Sequence, residues 1–294
     1  MRTSAIPIAI LGAAAAANAS TAVGCSGGLQ ILLARGTGEK LNSSIANRVA
    51  EGIIDRIPNS NFTSLDYPAT FTNPPYKSSV DDGVNILKNA LDNYHSTCPD
   101  GKIAVIGYSQ ARNRQLNCMT GTMGAGAQVS TYAFCGGNGT NSASTELTKN
   151  VVAILEFGNP THVANATYNR GNSTRDGIFA LDGDSVKRCE SLGDSLRSYC
   201  DTGDTYCDLG NVTGVHTSYF KRYTDETVDF VVSRYQNAGD QSSATTSPTG
   251  STTTGVGGSA SATGDAGNSA PWLGPGNGLL YTAPLAVWAI VQLL

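Results

Sequence analysis

A serine between small residues is the feature of this chain with the clearest chemical potential. Residues 105–111 read Val-Ile-Gly-Tyr-Ser-Gln-Ala, an apolar run followed by Gly-x-Ser-x-small. A turn this tight needs small flanking residues, and it presents the serine hydroxyl at the start of a helix. Backbone N–H groups there can stabilise an oxyanion. The pattern predicts that Ser109 is a nucleophile, although the second small residue is Ala111 rather than glycine.

A nucleophilic serine needs a base, and the chain has three histidines. His95 precedes the serine, and we interpret it as an ordinary exposed residue. His162 follows an apolar run and could reach the edge of a sheet, but an ordinary loop histidine is the favoured interpretation. His216 lies downstream, which is the chain order of Ser, Asp and His in α/β-hydrolase triads. We therefore predict that His216 is the general base.

An acidic loop precedes this histidine. Residues 199–208 read Tyr-Cys-Asp-Thr-Gly-Asp-Thr-Tyr-Cys-Asp, so three carboxylates compete to orient His216. A disulfide between the two cysteines of the loop would clamp it with Asp204 near its apex. We predict that Asp204 is the orienting acid, and we interpret Asp201 and Asp208 as solvated turn residues.

The surrounding elements are those of an α/β fold. Short, almost continuously apolar runs predict buried strands, and apolar residues at helical spacing predict amphipathic helices. The predicted strands are 29–34, 63–67, 103–108 and 151–157; the predicted helices lie within 45–57, 80–94 and 220–235. Alternation of strand and helix predicts a central parallel sheet covered on both sides. Sites in such sheets form at the carboxyl ends of the strands.

The N-terminus has the pattern of a secretory signal. A positive charge at Arg2, a short apolar run and the small residues 17–19 predict a signal peptide over residues 1–19. We expect one globular domain over residues 20–237, which is an ordinary size.

The C-terminal part has a different composition. Residues 238–270 are rich in Ser, Thr and Gly and have few apolar residues, which predicts a flexible linker carrying O-linked glycans. Residues 271–294 end in an apolar tail without a basic stop signal. This predicts a GPI-attachment propeptide, with Asn268 as the attachment residue. A plain tail anchor and a docked helix remain alternatives.

Composition limits the other partners. The formal net charge is −4 and no Lys/Arg cluster occurs, which argues against nucleic-acid binding. No metal-ligand spacing occurs, and residues 36–40 do not meet a phosphate-loop pattern, so we expect no cofactor. We expect a monomer that contacts membrane only through the GPI anchor. Within residues 20–237, six N-x-S/T sequons predict a glycosylated surface, at Asn42, Asn61, Asn138, Asn165, Asn172 and Asn211.

Several motifs, in order, resemble the cutinase and acetylxylan esterase family of serine esterases (carbohydrate esterase family 5-like). They are Ala-Arg-Gly-Thr at 34–37, Tyr-Pro-Ala at 67–69, Gly-Tyr-Ser-Gln at 107–110, Cys-x-x-Gly-Asp-x-x-Cys at 200–207, and His216 twelve residues beyond Asp204. The resemblance runs from about Cys25 to Gln236. It implies a three-layer α/β-hydrolase sandwich and a secreted carboxylic ester hydrolase.

The resemblance also implies roles for individual residues. Ser109, Asp204 and His216 would be the catalytic triad, and Thr37 and Gln110 would complete the oxyanion hole. Seven cysteines in an oxidising compartment should mostly be paired, although the sequence alone leaves the connectivity open. The family pattern implies the pairs Cys25–Cys98, Cys135–Cys189 and Cys200–Cys207.

The chain departs from the family at the serine motif. The family continues Gly-Tyr-Ser-Gln-Gly-Ala-Gln, whereas here fifteen residues, 111–125, separate Gln110 from Gly126. Removing them restores the motif and eliminates Cys118, the odd cysteine. One hypothesis is a retained intron or gene-model error; the alternatives are a genuine loop or a helix starting at Ala111. A genuine insertion could displace Gln110, and small displacements at such sites cost about a hundredfold in rate.

The substrate and the activity itself have alternatives. The resemblance implies an ester of the plant cell wall or cuticle, either cutin or acetylated xylan. The sequence of residues 199–207 resembles the acetylxylan esterase branch more closely. Val212 and Val215 partly match the apolar residues around the catalytic histidine in the cutinase branch. A catalytically inactive GPI-anchored cell-wall or adhesion glycoprotein is the second function class. The insertion favours it, and the intact Ser, Asp and His set opposes it.

Overall fold

A computed structural model of the chain describes residues 24–108, 125–137 and 139–243, which belong to one compact unit. Several sequence predictions lie outside the described residues: the signal peptide, the linker beyond residue 243, the GPI propeptide, Ser109, Gln110, Cys118, Asn138 and Asn268. Of residues 111–125, only Ala125 is described.

The described residues form a six-stranded sheet with the order β2-β1-β3-β4-β6-β5. The strands are β1 (Leu29–Ala34), β2 (Asn61–Ser64), β3 (Lys102–Tyr108), β4 (Val151–Phe157), β5 (Asn169–Arg170) and β6 (Leu196–Tyr199). Every pairing between these strands is parallel. The predicted parallel sheet is therefore confirmed.

The strand predictions differ from the structure at the edges of the sheet. β2 begins two residues before the predicted run 63–67 and ends at Ser64, after which Leu65 and Tyr67 turn into the core. β5 and β6 were not predicted. They have two and four residues, too short for an apolar run to show above its surroundings.

The helices are α1 (Asn47–Arg56), α2 (Tyr76–Thr97), α3 (Gly126–Cys135), α4 (Thr145–Thr148), α5 (Gly183–Glu190), α6 (Thr213–His216), α7 (Tyr219–Arg222) and α8 (Thr224–Ser243). They cover the sheet on both faces. Side chains alternate along a strand, so Leu32 joins the core under α2 and α3, whereas Ile31 and Leu33 join the core under α1 and α8. The result is the predicted three-layer sandwich.

Three disulfides brace the described chain. Cys25–Cys98 joins the segment before β1 to the end of α2, and Cys135–Cys189 joins α3 to α5. Cys200–Cys207 closes the loop after β6. These are the pairs that the family resemblance implies. Within the described ranges, no helix combines the length and apolar character needed to cross a membrane.

Candidate active site

Asp204 and His216 form a buried hydrogen-bonded pair at the carboxyl end of the sheet. Their exposed fractions are 0% and 1%, and 2.8 Å separates His216 Nδ1 from Asp204 Oδ2. The disulfide between Cys200 and Cys207 closes the loop that presents Asp204. Among the three acids that compete in this loop, the structure places Asp204 on the histidine.

The surroundings of Asp204 keep its carboxylate ionised. Its Oδ1 accepts the backbone N–H groups of Tyr206, at 2.7 Å, and Cys207, at 3.1 Å. The hydroxyl of Tyr219 donates to Oδ2 at 2.6 Å. Burial alone would raise the pKa of Asp204, but the hydrogen bonds from His216, Tyr219 and Tyr206 hold it below its usual value. A carboxylate at this place fixes the hydrogen of His216 on Nδ1 and leaves Nε2 as the acceptor.

The ring of His216 is held by its neighbours. It stacks on Tyr108, with centroids 5.7 Å apart, and the edge of Tyr206 packs against it at 4.6 Å. Gly158, directly after β4, lies beneath it with a φ of +60°. A Cβ there would come within 2.6 Å of His216 Cε1. Nε2 of His216 is buried and has no hydrogen-bond partner in the described part of the chain.

Two of these positioning residues were missed by the sequence analysis. Gly158 was detectable only as a glycine ending a predicted strand, since the contact with His216 is long-range. Tyr219 was not singled out because it reaches Asp204 from fifteen residues away, through α7, which has only four residues.

The last residue of β3 contacts this pair. Tyr108, the last described residue before Ser109, stacks on His216 and its hydroxyl donates to the His216 carbonyl at 3.3 Å. Ser109 itself lies outside the described residues. His216 therefore contacts both Asp204 and Tyr108, the residue that precedes the predicted nucleophile.

The first residue of α3, Gly126, packs against the end of β3 so closely that only a glycine fits there. A Cβ on Gly126 would lie 2.4 Å from the Tyr108 carbonyl oxygen and 2.1 Å from that of Ala34. A Cβ on Gly107 would lie 2.7 Å from the Gly126 carbonyl oxygen. Tyr108 and Gly126 thus lie in contact at the top of β3. In the sequence, Gly126 is the second glycine of the family motif once residues 111–125 are removed.

Thr37 lies in the loop after β1, which several hydrogen bonds hold in place. Buried Arg35 holds this loop by donating to the carbonyls of Glu39, at 2.9 Å, and Leu65, at 2.7 Å, while Gly36 N donates to the Glu39 carboxylate at 2.9 Å. The Thr37 hydroxyl is buried and has no partner among the described residues. A fixed, unpartnered donor of this kind fits the predicted oxyanion role.

The interpretation of Asp201 and Asp208 as solvated turn residues is wrong, because both are buried. Asp201 pairs with Arg222 at 2.7 Å, and Asp208 pairs with Arg175 at 2.7 Å. Burial of a carboxylate requires such partners, and here the pairs brace the loop around Asp204.

The other two histidines lie outside the site. The interpretation of His95 as exposed is wrong: its side chain is 16% exposed and lies 3.4 Å from Glu146. His162 lies in the loop after β4, as expected, but it is buried and both ring nitrogens lack partners in the described chain. Its burial lowers its pKa.

The five described sequon residues are all exposed: Asn42, Asn61, Asn165, Asn172 and Asn211. Glycosylation at them stays a prediction. Over the described ranges, no group of three or more His, Cys, Asp or Glu side chains is arranged to hold a metal ion.

Comparison with known proteins identifies the family. The family model described as Cutinase matches residues 25–235. The chain belongs to the cutinase family. It is 29% identical over 202 residues to an acetylxylan esterase of Hypocrea jecorina, covering 64% of this chain and 61% of that protein. It is 28% identical over 252 residues to Cutinase 11 of Verticillium dahliae, covering 81% of this chain and 79% of that protein.

A solved acetylxylan esterase structure shares the cutinase-family fold, with a TM-score of 0.61 over 72% of this chain and 99% of that one. At 24% identity this likeness shows the fold alone. The names of the relatives are those of carboxylic ester hydrolases. The chain spans only about three fifths of the Hypocrea jecorina protein.

Proposed function

We propose that this chain is a secreted serine esterase in which Ser109, His216 and Asp204 form the catalytic triad. The observation that carries the proposal is the buried 2.8 Å hydrogen bond between His216 Nδ1 and Asp204 Oδ2. The opposite nitrogen of the ring is left without a partner in the described chain, and the residue before Ser109 packs on that ring.

The proposed mechanism follows from this arrangement. His216 Nε2 takes the proton of Ser109 as the serine oxygen attacks the ester carbonyl, and returns it to the leaving alcohol. The Asp204 carboxylate holds the ring in place and stabilises the imidazolium. A water molecule, deprotonated by the same nitrogen, then releases the acyl group and restores Ser109.

Two hydrogen-bond donors are proposed to stabilise the oxyanion. One is the Thr37 hydroxyl, which is buried without a partner in the described chain. The other is the backbone N–H of Gln110, the residue after the serine, as the family resemblance implies. Loss of one such donor typically costs about 3 kcal/mol of transition-state stabilisation. No cofactor takes part.

The surface around the site supports an apolar substrate. The large hydrophobic side chains that are exposed on the described chain lie on two loops: Leu41 (41%), Ile45 (41%), Leu209 (53%) and Val212 (51%). One loop follows Thr37, and the other joins Asp204 to His216. We call these four side chains the apolar rim. Such a surface favours contact with apolar polymer or acyl chains, so a cutin-like polyester is supported over acetylated xylan.

Substrate preference tests this assignment. On soluble esters of increasing acyl length, we expect kcat/KM to rise from acetyl toward medium-length chains, and Leu209→Ser with Val212→Ser to remove that rise. Hydrolysis of the acetyl ester by the double variant should be unchanged, because neither residue belongs to the proposed triad or oxyanion hole. A preference for acetyl esters on acetylated xylan in the unmodified protein would overturn the cutin assignment and leave the esterase assignment intact.

Secretion and anchoring belong to the same proposal. Three disulfides in the described chain support passage through an oxidising compartment. With the predicted signal peptide and GPI propeptide, they support an extracellular enzyme tethered at the cell surface or wall. Release of the protein from cells by a phosphatidylinositol-specific phospholipase C is the expected result.

The second candidate is an inactive wall or adhesion glycoprotein on the same fold. The fifteen-residue segment between Gln110 and Gly126 favours it, because the family motif is interrupted next to the nucleophile. The two candidates predict opposite results for an ester hydrolysis assay with Ser109→Ala as control. Hydrolysis that Ser109→Ala abolishes supports the esterase, and equal rates for both proteins support the inactive glycoprotein.

A further inference from the structure

A glutamate is buried in the middle of the sheet, close to the site but outside the proposed triad. Glu156 belongs to β4 and is 1% exposed. It pairs in register with Gly107 on β3, the first glycine of the serine motif, and with Ser198 on β6. Its side chain faces α3, and it precedes Gly158, which underlies His216, by two residues.

The carboxyl joins a small polar network, here called the Glu156 network, with Thr131, Asn159 and Thr161. Glu156 Oε1 lies 2.8 Å from Thr131 Oγ1, and Asn159 Nδ2 donates to Glu156 Oε2 at 2.7 Å. Asn159 Nδ2 also donates to Thr131 Oγ1 at 2.7 Å. Thr161 Oγ1 donates to Asn159 Oδ1 at 2.8 Å. Finally, Thr131 Oγ1 lies 3.1 Å from the Ala127 carbonyl oxygen, in the first turn of α3.

Counting hydrogens shows that this network is complete only with a proton on Glu156. The five contacts need five hydrogens. Thr131 and Thr161 supply one each and the Asn159 amide supplies two, so an ionised carboxylate leaves one contact unmade. The single Thr131 hydrogen must then choose between Glu156 and the Ala127 carbonyl. A longer contact of 3.3 Å between Thr161 and Thr131 adds no further hydrogen.

A protonated Glu156 removes this conflict. Its own hydrogen is donated to Thr131 Oγ1, which still accepts from Asn159 and is free to donate to Ala127. Each of the five contacts then has its own hydrogen, with Thr131 Oγ1 accepting two and donating one. Ala127 follows Gly126, the residue that packs against the carbonyl of Tyr108.

The electrostatic surroundings agree with the count. Burial raises the pKa of Glu156 to about 7, although hydrogen bonds from Thr131 and Asn159 lower it. The hydroxyls of Ser130 and Ser198 also lower it, yet neither has hydrogen-bond geometry with any partner. The titratable group that faces Glu156 is Tyr168, whose pKa is raised mainly by its own burial and further by this carboxylate. No cation of the described chain pairs with Glu156.

We propose that Glu156 is a positioning residue that works in its protonated form, holding Thr131 on the first turn of α3 and so seating that helix, whose first residue Gly126 packs against Tyr108 at the end of β3. Loss of the proton turns the Thr131 hydroxyl to the carboxylate and leaves the Ala127 carbonyl without that bond. Activity is then lost toward alkaline pH. The activity part of this inference rests on the proposed esterase function; the protonation part does not.

Two measurements on the full chain test the inference, with Glu156→Gln as the key variant. Glutamine keeps the acceptor for Asn159 and donates permanently to Thr131, so it imitates the protonated acid. Infrared difference spectra between pH 5 and pH 9 should show the carbonyl band of a buried carboxylic acid disappearing near pH 7, and Glu156→Gln should lack that change. A spectrum in which this carboxyl is already ionised at pH 5 overturns the proposal, and this outcome does not depend on whether the protein hydrolyses esters.

The second measurement is the pH profile of ester hydrolysis. In the unmodified protein kcat should fall about tenfold between pH 6 and pH 8, since a group with a pKa near 7 is about nine-tenths ionised at pH 8. Glu156→Gln should lose this fall. The matched control Glu51→Gln, at an exposed glutamate on α1, should keep it. An unchanged alkaline fall in Glu156→Gln overturns the proposal, and no activity in any variant contradicts the esterase assignment instead.

Discussion

The Asp204 carboxylate acts on the chemistry only through the ring that it holds. Asp204→Asn keeps the size of the side chain but removes its negative charge and replaces one acceptor oxygen by an NH2 donor, so His216 loses its preferred tautomer. We expect kcat to fall by about 10³–10⁴-fold with little change in KM. Steady-state kinetics on a soluble ester measures this, and a loss under tenfold would contradict the assigned role of Asp204.

The glycine under His216 offers a steric test. In Gly158→Ala the new Cβ would lie 2.6 Å from His216 Cε1 at a φ of +60°. We expect a loss of about 1–2 kcal/mol in stability from the backbone conformation and a fall of about a hundredfold in kcat from displacement of the ring. Thermal unfolding and steady-state kinetics separate the two effects.

The matched control for this glycine is Gly183→Ala, because no atom lies within 4 Å of the added Cβ there. It should leave both stability and kcat near their original values. Equal kcat for Gly158→Ala and the unmodified protein would contradict the described position of His216.

The sequence predicts the roles of some single side chains and not of others. The order of Ser109, Asp204 and His216 was visible because the motifs are local and family-like. The burial of Asp201 and Asp208 was not, since their partners Arg222 and Arg175 approach from segments 21 and 33 residues away. Sequence alone cannot show which loop acid has a distant arginine beside it.

Among the secondary-structure elements, the junction of β3 with α3 decides how the inserted segment is understood. Tyr108 and Gly126 are in contact although seventeen residues separate them in the chain. A variant without residues 111–125 would connect them through Ser109 and Gln110 alone. Shortening the connection reduces its closure entropy by about 1–2 kcal/mol, so we expect this variant to fold with an unfolding midpoint equal to or above that of the full chain.

The control for the deletion removes residues 249–263, an equally long stretch of the Ser/Thr/Gly-rich segment, and should leave the midpoint unchanged. Thermal unfolding measures both variants. If the variant without residues 111–125 fails to fold, these residues are a required part of the domain. That result would contradict the retained-intron hypothesis.

The same elements show what periodicity can and cannot predict. β1 and β4 have the predicted bounds because both are continuously apolar and buried. α3 was not predicted: all ten of its residues are buried, so no polar face marks its helical period. β5 and β6 were missed for the opposite reason, as they are too short to carry a pattern.

For the molecule as a whole, the buried carboxyls predict how stability depends on pH. The pKa of Glu156 is raised from 4.5 to about 7, so the folded state keeps a proton that the unfolded chain releases. The free energy of unfolding should therefore fall by about 3 kcal/mol as pH rises from 4.5 to 7. The pKa of Asp204 is lowered, so its contribution is lost as pH falls below the ordinary range of aspartate. Together they place maximum stability at mildly acidic pH.

Denaturant unfolding at pH 5 and pH 8 measures this dependence. Glu156→Gln should lose most of the difference between the two values, and Glu51→Gln should keep it. A protein that is more stable at pH 8 than at pH 5 would contradict the protonated state of Glu156.

The central claim is that the chain assembles a working nucleophile at Ser109, and covalent labelling tests it most directly. The secreted protein would be treated with a fluorophosphonate, and the adduct mapped by mass spectrometry in the unmodified chain, in His216→Ala and in Gly183→Ala. The triad predicts an adduct on Ser109 in the unmodified chain and in Gly183→Ala, and its loss in His216→Ala. A folded protein with no adduct, or an adduct on Ser109 that persists in His216→Ala, would contradict it.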